Sequence, residues 1–454
     1  MSAKVALVNP AFYDNDEFKN RFDRYLEWIK GGNLYVAPFE PPLGLAFLSA
    51  ALREAGEAVE FLDMQGELMD TDTLKARLRA SGAGLVGVTA MTPTLPQALR
   101  VAKVVREVLP AAKTVLGGVH PTLDPAGVLS DPNVDYVLRG EGERSLVQLA
   151  RALDGEGALE DVEGLGWKID GKPRFKERAR AIADLDAIPL ADYGAFPIER
   201  YVAHNAHLRG LRGISMVVSR GCPYQCTFCA VKETMGRKWR TTSVRRVVDQ
   251  MIELRDRFGV EGIWFKDSIF NMRKDWISEF CEELVRRQVG LPWQALTRIN
   301  LIDESQLAMM KEAGLVQLDL GIESGSPRVL ARLKKGIGPE EIRKKVSLAK
   351  RYVSVFGFFM IGIPGEEESD IQQTFELAKE LELDRWSWSI YSPLPGSTLY
   401  DELVADGKVR PFALDFNKIH FTEAYDGIGS VPAERLQELY REINEYFCAP
   451  ALIA

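Results

Sequence analysis

Short apolar runs and segments of helical periodicity alternate along most of this chain. Between residues 1 and about 150, the runs 4–8, 58–62, 85–89, 113–116 and 134–138 read as strands. The stretches 43–54, 71–80, 95–108 and 144–153 space their apolar residues three and four apart and read as helices. Such alternation predicts a parallel sheet with helices on both faces, and sheets of this kind bind ligands beyond the carboxyl ends of their strands. The rhythm resumes after residue 211, with strands at 215–219, 262–266, 293–297, 317–321, 355–361 and 386–391. Helices at 243–258, 275–287, 304–313, 340–352 and 369–381 separate them. Six strand–helix units predict an open or partial α/β barrel, again with its site at the carboxyl ends of the strands.

Two stretches break the pattern. Residues 164–175 carry Asp170-Gly171 between short apolar runs, the signature of a hairpin, and 185–193 follow as an irregular linker with an Ile188-Pro189 step. At the end, 432–447 sets Leu436, Leu439, Tyr440, Ile443 and Tyr446 near helical spacing and reads as a lid helix. The expected organisation is therefore 1–150, a bridge at 151–210, 211–400 and a helical tail at 401–454.

Composition narrows the class. With 46% hydrophobic and 27% charged residues over 454 positions, the chain is ordinary for a soluble globular protein. A net charge of −8 argues against nonspecific binding to nucleic acid or to an anionic membrane. The first apolar run ends in Asn9-Pro10 without a cleavage pattern, so no signal peptide is expected, and no stretch is long enough to span a bilayer. Five cysteines without a paired framework fit a reducing, cytoplasmic compartment.

Three of those cysteines fall within eight residues, Gly221-Cys222-Pro223-Tyr224-Gln225-Cys226-Thr227-Phe228-Cys229. Three thiolates in one loop suit a soft metal or an iron–sulfur cluster, and a cubane held by three cysteines keeps one iron free of protein sulfur. The competing reading is zinc, with His204 or His207 as fourth ligand. Polar residues stand at the barrel strand ends. Asp267 and Ser268 suit an ammonium group; Arg298, with Asn300, suits a carboxylate; Glu323 and Ser324 suit ribose hydroxyls. Gly357 to Glu366, with Gly362 inside it, allows close approach by a flat group such as adenine, and Tyr391 opens the last strand end. Arg237 and Arg240 flank a basic run that reads as a solvated face or as a contact for substrate carboxylate or phosphate. Cys448 reads as an inert buried thiol or a reactive one near the cavity. In the first 150 residues the strand ends carry Thr89 and Thr92, the turn Gly117-Gly118-Val119-His120-Pro121-Thr122, and Gly140-Glu141-Gly142-Glu143. None of these is a dinucleotide fingerprint or a Walker loop.

The C-x3-C-x2-C loop with Phe228 before its last cysteine resembles the radical S-adenosylmethionine superfamily, and residues 211–400 resemble its barrel throughout. Residues 1–150 resemble the Rossmann-like cobalamin-binding domain of its cobalamin-dependent members, through Pro41-Pro42-Leu43-Gly44, the Gly-Gly-x-His-x-Thr turn and Gly-Glu-Gly-Glu. The hairpin followed by the acidic Ile-Pro segment is typical of that group. The resemblance implies a 4Fe–4S cluster on Cys222, Cys226 and Cys229. It implies S-adenosylmethionine contacts from Phe228, Asp267, Ser268, Arg298, Glu323, Ser324, Gly362 and Tyr391. It implies cobalamin contacts from Pro42, Gly44, Thr89, Thr92, Gly117, Gly118, His120 and Glu141. The chain departs from the pattern in two places. It lacks Asp-x-His-x-x-Gly, which leaves the cobalt ligation open, and it carries Asp267-Ser268 where many radical enzymes have Gly-Gly-Glu. The implied activity is C-methylation of a small or medium-sized molecule. One S-adenosylmethionine replenishes the methyl group, a second supplies the radical, and an external flavodoxin or ferredoxin supplies electrons. A cobalamin-assisted oxidation or cyclisation, as in the anaerobic tetrapyrrole ring cyclase, is the alternative chemistry, and a non-catalytic cobalamin carrier or sensor the alternative class.

Overall fold

The computed structural model describes residues 4–12, 40–202, 210–412 and 421–448, which fall into two compact units, one up to residue 202 and one from residue 210. His204 and His207, the zinc alternative's extra ligands, lie outside the described residues. Among the described residues no helix is long and apolar enough to cross a membrane.

The first unit alternates β1 (Val5–Asn9), α1 (Leu43–Glu54), β2 (Val59–Asp63), α2 (Thr71–Ser81), β3 (Leu85–Thr89), α3 (Leu95–Val108), β4 (Lys113–Gly117), α4 (Val119–Leu123), α5 (Pro125–Ser130), β5 (Tyr136–Leu138) and α6 (Gly142–Leu153). The strands are apolar at consecutive positions because both sheet faces are covered. Local chemistry sets the helix ends. At α2 the Asp70 carboxylate accepts the Thr73 N–H at 2.8 Å, and Gly82 closes the helix in the left-handed region at φ +61°. The five strands pair in parallel in the order β2-β1-β3-β4-β5. The order reverses between β1 and β3, and the crevice beyond those strand ends is where such sheets take ligands. The expected hairpin forms as β6 (Leu165–Ile169) and β7 (Lys172–Phe175), with Asp170 and Gly171 both at positive φ, and β6 pairs antiparallel with β5. Residues 164–175 are thus the edge of this sheet. The following stretch packs Ile182, Leu185 and Ile188 together and ends in α7 (Ile198–Val202).

The second unit opens with β8 (Gly213–Met216) and a two-residue ribbon of β9 (Ser219–Arg220) and β10 (Arg240–Thr241), with the short α8 (Val231–Thr234) between. It continues through α9 (Val244–Phe258), β11 (Gly262–Phe265), α10 (Lys274–Arg286), β12 (Trp293–Thr297), α11 (Glu304–Glu312), β13 (Leu315–Glu323), α12 (Pro327–Arg332), α13 (Pro339–Lys350), β14 (Ser354–Ile361), α14 (Glu368–Leu381), β15 (Arg385–Ile390), α15 (Thr398–Ala405) and α16 (Ala433–Cys448). Six parallel strands pair in simple sequence order, β8-β11-β12-β13-β14-β15, and form a half-barrel. The expected strand at 215–219 splits, because the buried Asp267 carboxylate accepts the Val218 and Ser219 N–H groups and draws the chain off the sheet after Met216.

Side-chain parity separates the two faces of the half-barrel. Phe265 and Trp293 meet Phe280 of α10 edge-on at 5.7 and 5.5 Å, and Trp386 and Trp388 meet Phe447 of α16. These residues form the outer, helix-covered face. The alternate positions, Ser215, Gln294, Gln317 and Asp319 among them, are buried and polar and line the inner face.

Candidate functional site

The cysteine loop starts from the β9–β10 ribbon. Gly221 sits at φ +86°, and an added Cβ would overlap the Lys238 carbonyl, so only glycine lets the chain turn here. The Cys222 N–H donates to the Gly236 carbonyl at 3.1 Å and the Cys229 N–H to Cys226 O at 3.2 Å. Thr227, between the second and third cysteines, donates from N–H and hydroxyl to Leu333 O and Arg332 O and accepts the Leu399 N–H at 2.9 Å. The loop is therefore bonded to the end of α12 and the start of α15. Phe228 packs against the apolar cluster of Val329, Leu333, Met360, Ile363 and Tyr391.

Cations surround these sulfurs. Arg298, 7% exposed, donates to Cys226 Sγ at 2.8 Å, to Lys335 O, and to Asn300 Oδ1 at 3.2 Å, and its guanidinium lies 3.9 Å from the Tyr224 ring centroid. Buried Lys335 pairs with Glu323 Oε1 at 3.0 Å. Glu323 takes a left-handed φ of +69°, and its carboxylate folds back over Gly321, where a Cβ would meet Oε1 at 2.5 Å. Burial, reinforced by the neighbouring cysteines, raises Cys222 and pushes Cys229 up to about 11. Thiols that resist ionising together lose their protons to a metal that binds the sulfurs. Among the described residues no three His, Cys, Asp or Glu side chains converge on one ion position. A cluster takes one thiolate per iron and needs no such convergence, so the donor set and its cationic surroundings fit an iron–sulfur cluster.

The other strand-end residues divide into two sets. Glu323, Arg298 and Phe228 gather at the cysteine loop. Gly362 stands at φ +79°, its N–H and that of Ile363 donating to Glu366 Oε2 at 2.6 and 3.1 Å, and a Cβ there would overlap Leu436 Cδ2, so the glycine makes way for α16. Asp267 is fully buried and burial raises it to about 6; Oδ1 takes three donors from Val218 and Ser219 at 2.5–3.1 Å, while Oδ2 is buried without a partner. Ser268 is half-buried beside it. Three expectations change with the geometry. The Ser324 hydroxyl is buried against Thr374 Oγ1 at 2.9 Å on α14, which makes Ser324 a structural contact. Tyr391 is 1% exposed inside the apolar cluster. Arg240 is 5% exposed and donates to Met235 O at 2.9 Å, so it stitches the ribbon, while Arg237 is exposed. Cys448 ends α16, and its side chain is outside the described residues. Lys335 escaped the sequence reading because only the fold brings it beside Glu323.

In the first unit the candidate residues collect at the carboxyl ends of β3, β4 and β5. Gly118 lies at φ +104°, and a Cβ would meet Ala90 O at 2.9 Å and Thr89 Oγ1 at 3.1 Å. Gly117 and half-buried Thr89 complete a backbone edge nearly free of side chains, with Met91 49% exposed beside it. A flat macrocycle can approach such an edge. Pro42 precedes α1, and Gly44, exposed in its first turn, has open space where a Cβ would stand. His120 is 1% exposed, its Nδ1 lies 3.3 Å from Thr92 Oγ1, and burial holds it below the usual imidazole range. His120 and Thr92 therefore form one buried pair. Glu141 Oε2 accepts the Ile182 N–H at 2.8 Å, which ties the strand end to the segment after the hairpin. Unforeseen in sequence, Asp63 at the end of β2 accepts from Asn9 (2.8 Å), Gly66 N–H (3.0 Å) and Tyr201 OH (2.6 Å).

Comparison with known proteins agrees with this geometry. Residues 216–378 match the radical SAM superfamily profile and residues 29–150 the B12 binding domain profile. An uncharacterized methyltransferase of Pyrococcus horikoshii is 32% identical, over 81% of this chain and 79% of its own length. The anaerobic magnesium-protoporphyrin IX monomethyl ester cyclase of Rubrivivax gelatinosus is 30% identical, over 86% of this chain and 70% of its own. The structure of the radical S-adenosylmethionine methyltransferase TsrM of Kitasatospora setae, solved with cobalamin and a [4Fe-4S] cluster bound, superposes with a TM-score of 0.71. That match covers 89% of this chain and 78% of that one at 20% identity and speaks to fold.

Proposed function

The chain belongs to the cobalamin-dependent radical S-adenosylmethionine enzymes, and from that premise we propose that it methylates an unreactive carbon of a small or medium-sized metabolite. Its cofactors are a 4Fe–4S cluster, S-adenosylmethionine and cobalamin. When bound, the cluster and S-adenosylmethionine would supply radical chemistry at the substrate carbon, and cobalamin would supply methyl-transfer chemistry.

The observation that carries this reading is the cysteine loop with Arg298 on Cys226 Sγ at 2.8 Å. Cys222, Cys226 and Cys229 would hold the cluster through three thiolates, so that one iron stays free of protein sulfur. Arg298 offsets thiolate charge in a buried setting, where it counts for more than at the surface. Lys335 neutralises Glu323 while leaving its second carboxylate oxygen, Oε2, available to ribose. Asp267 fixes the β8-to-β9 turn through Oδ1 and presents Oδ2 for an ammonium group. In the first unit, Gly117, Gly118 and Thr89 would offer the edge for a corrin.

An external low-potential donor, a flavodoxin or ferredoxin, and a reducing cytoplasm suit a cluster of this kind. The cyclase relative favours a second reading, radical oxidation or ring closure without methyl transfer. Anaerobic reconstitution with both cofactors and mass spectrometry of the products separates the two. A product heavier by one methyl together with S-adenosylhomocysteine supports methylation. Unmethylated product without S-adenosylhomocysteine supports oxidation or cyclisation.

A further inference from the structure

We propose that the second unit carries a further binding site, separate from the cysteine loop, for a free α-amino acid with an apolar side chain. The site is a cavity of about 510 Å³ between α12, the turn after β14 and the end of α15. That volume holds a small molecule rather than a single water. All its lining residues belong to the second unit. Its floor is apolar. Val329, Ile363, Leu399 and Leu403 are each at most 3% exposed and belong to the cluster against which Phe228 packs. An occupant and the cysteine loop therefore share one apolar layer.

The charged groups of the lining sort by whether they are already spent. Arg328 donates to Gly365 O at 2.9 Å and pairs with Asp370, and Arg332 pairs with Glu402. Asp406 and Lys408 are exposed, and among the described residues neither side chain pairs with the other or with a third group. They flank Gly407 in the turn that closes α15, where the Lys408 N–H donates to Leu403 O at 2.9 Å. Opposite charges thus stand two residues apart on one rim without meeting. A carboxylate at the C-terminal end of a helix faces the negative end of the dipole, and an added ammonium group offsets both. Glu366 lines the wall and is 1% exposed. Its Oε2 accepts the Gly362 and Ile363 N–H groups, whereas Oε1 is buried without a partner among the described residues. Burial pushes this carboxyl up to about 8, so near neutral pH it holds a proton and acts as a donor. Asp406 therefore suits an ammonium group, Lys408 and Glu366 suit a carboxylate, and the floor suits an aliphatic side chain. A plain anion would leave Asp406 unmatched, and a plain cation would leave Lys408 unmatched. An α-amino acid carries both charges on one carbon.

The test uses reconstituted full-length protein with one equivalent of S-adenosylmethionine, which keeps the probes off the cluster. Three matched probes, L-leucine, 4-methylpentanoate and 3-methylbutylamine, are titrated by calorimetry. L-Leucine should bind with a Kd below about 1 mM and at least about tenfold tighter than either truncated probe, a difference of about 1.4 kcal/mol. Asp406→Asn should erase the lead over 4-methylpentanoate, which lacks the ammonium group, and keep the lead over the amine. Lys408→Met should do the reverse, and Lys408→Arg should behave as wild type. Iron content and thermal unfolding check that the variants fold. No saturable leucine binding, equal binding of the three probes, or leads that survive Asp406→Asn and Lys408→Met would overturn the proposal. Because binding is read without turnover, the result stands apart from whether the enzyme methylates or oxidises its substrate.

Discussion

Replacing Arg298 by methionine tests how the protein tunes its cysteine loop. The guanidinium touches Cys226 Sγ, Lys335 O, Asn300 Oδ1 and the Tyr224 ring. Methionine keeps the apolar stem and removes the charge and every donor. A unit charge about 5 Å from the cluster, at an effective dielectric constant of about 20, contributes about 3 kcal/mol, or roughly 130 mV for a one-electron couple. Penetrating water would reduce this, so the midpoint potential should fall by about 60–130 mV. The stranded Lys335 carbonyl should lower stability by about 1–3 kcal/mol. An anaerobic redox titration followed by electron paramagnetic resonance reads the potential, and iron analysis confirms that the cluster is present. A fully loaded variant whose potential lies within about 20 mV of wild type would refute the electrostatic role assigned to Arg298.

Three further outcomes follow from single residues. Gly221→Ala should abolish cluster assembly and shed iron on gel filtration, because φ +86° and the Lys238 carbonyl exclude a Cβ. Gly118→Ala should cost about 1–3 kcal/mol by denaturant unfolding, since it strains φ +104° and presses on Ala90 O. It should also weaken cobalamin retention, read by absorbance. Burial pushes Glu366 up to about 8 from 4.5, against the bonds from the Ile363 and Gly362 N–H groups. The native state then binds more protons than the unfolded chain between those values, so its contribution to stability falls as pH rises from about 4.5 to about 8 and is level above. Glu366→Gln should match wild type near pH 4.5 and exceed it at pH 9 by roughly 5 kcal/mol at most, measured by chemical denaturation.

Much of the scaffold was legible because periodicity reports burial. The helices at Leu43–Glu54 and Leu95–Val108 and the strands at Leu85–Thr89 and Trp293–Thr297 fall where the apolar spacing puts them. The cysteine loop was legible because its ligands are local in sequence. Partners far apart in sequence were not. Lys335 reaches Glu323 only through the fold, and Tyr201 meets Asp63 across 138 residues. Polarity also does not reveal direction. Ser324, Glu141 and Arg240 each sit beside a strand end or loop of the right character, yet their polar atoms turn into the protein, to Thr374, Ile182 N–H and Met235 O. Arg298 read as a carboxylate fork, and its buried geometry aims it at a sulfur.

The central claim is a three-cysteine cluster with one ligand-accepting iron. Anaerobically reconstituted protein should carry about four irons and four sulfides per chain and release 5′-deoxyadenosine from S-adenosylmethionine under dithionite. The variant with Cys222, Cys226 and Cys229 all changed to alanine should lose both iron and that product. One zinc per chain in the wild type, or undiminished 5′-deoxyadenosine from the cysteine-free loop, would contradict the account.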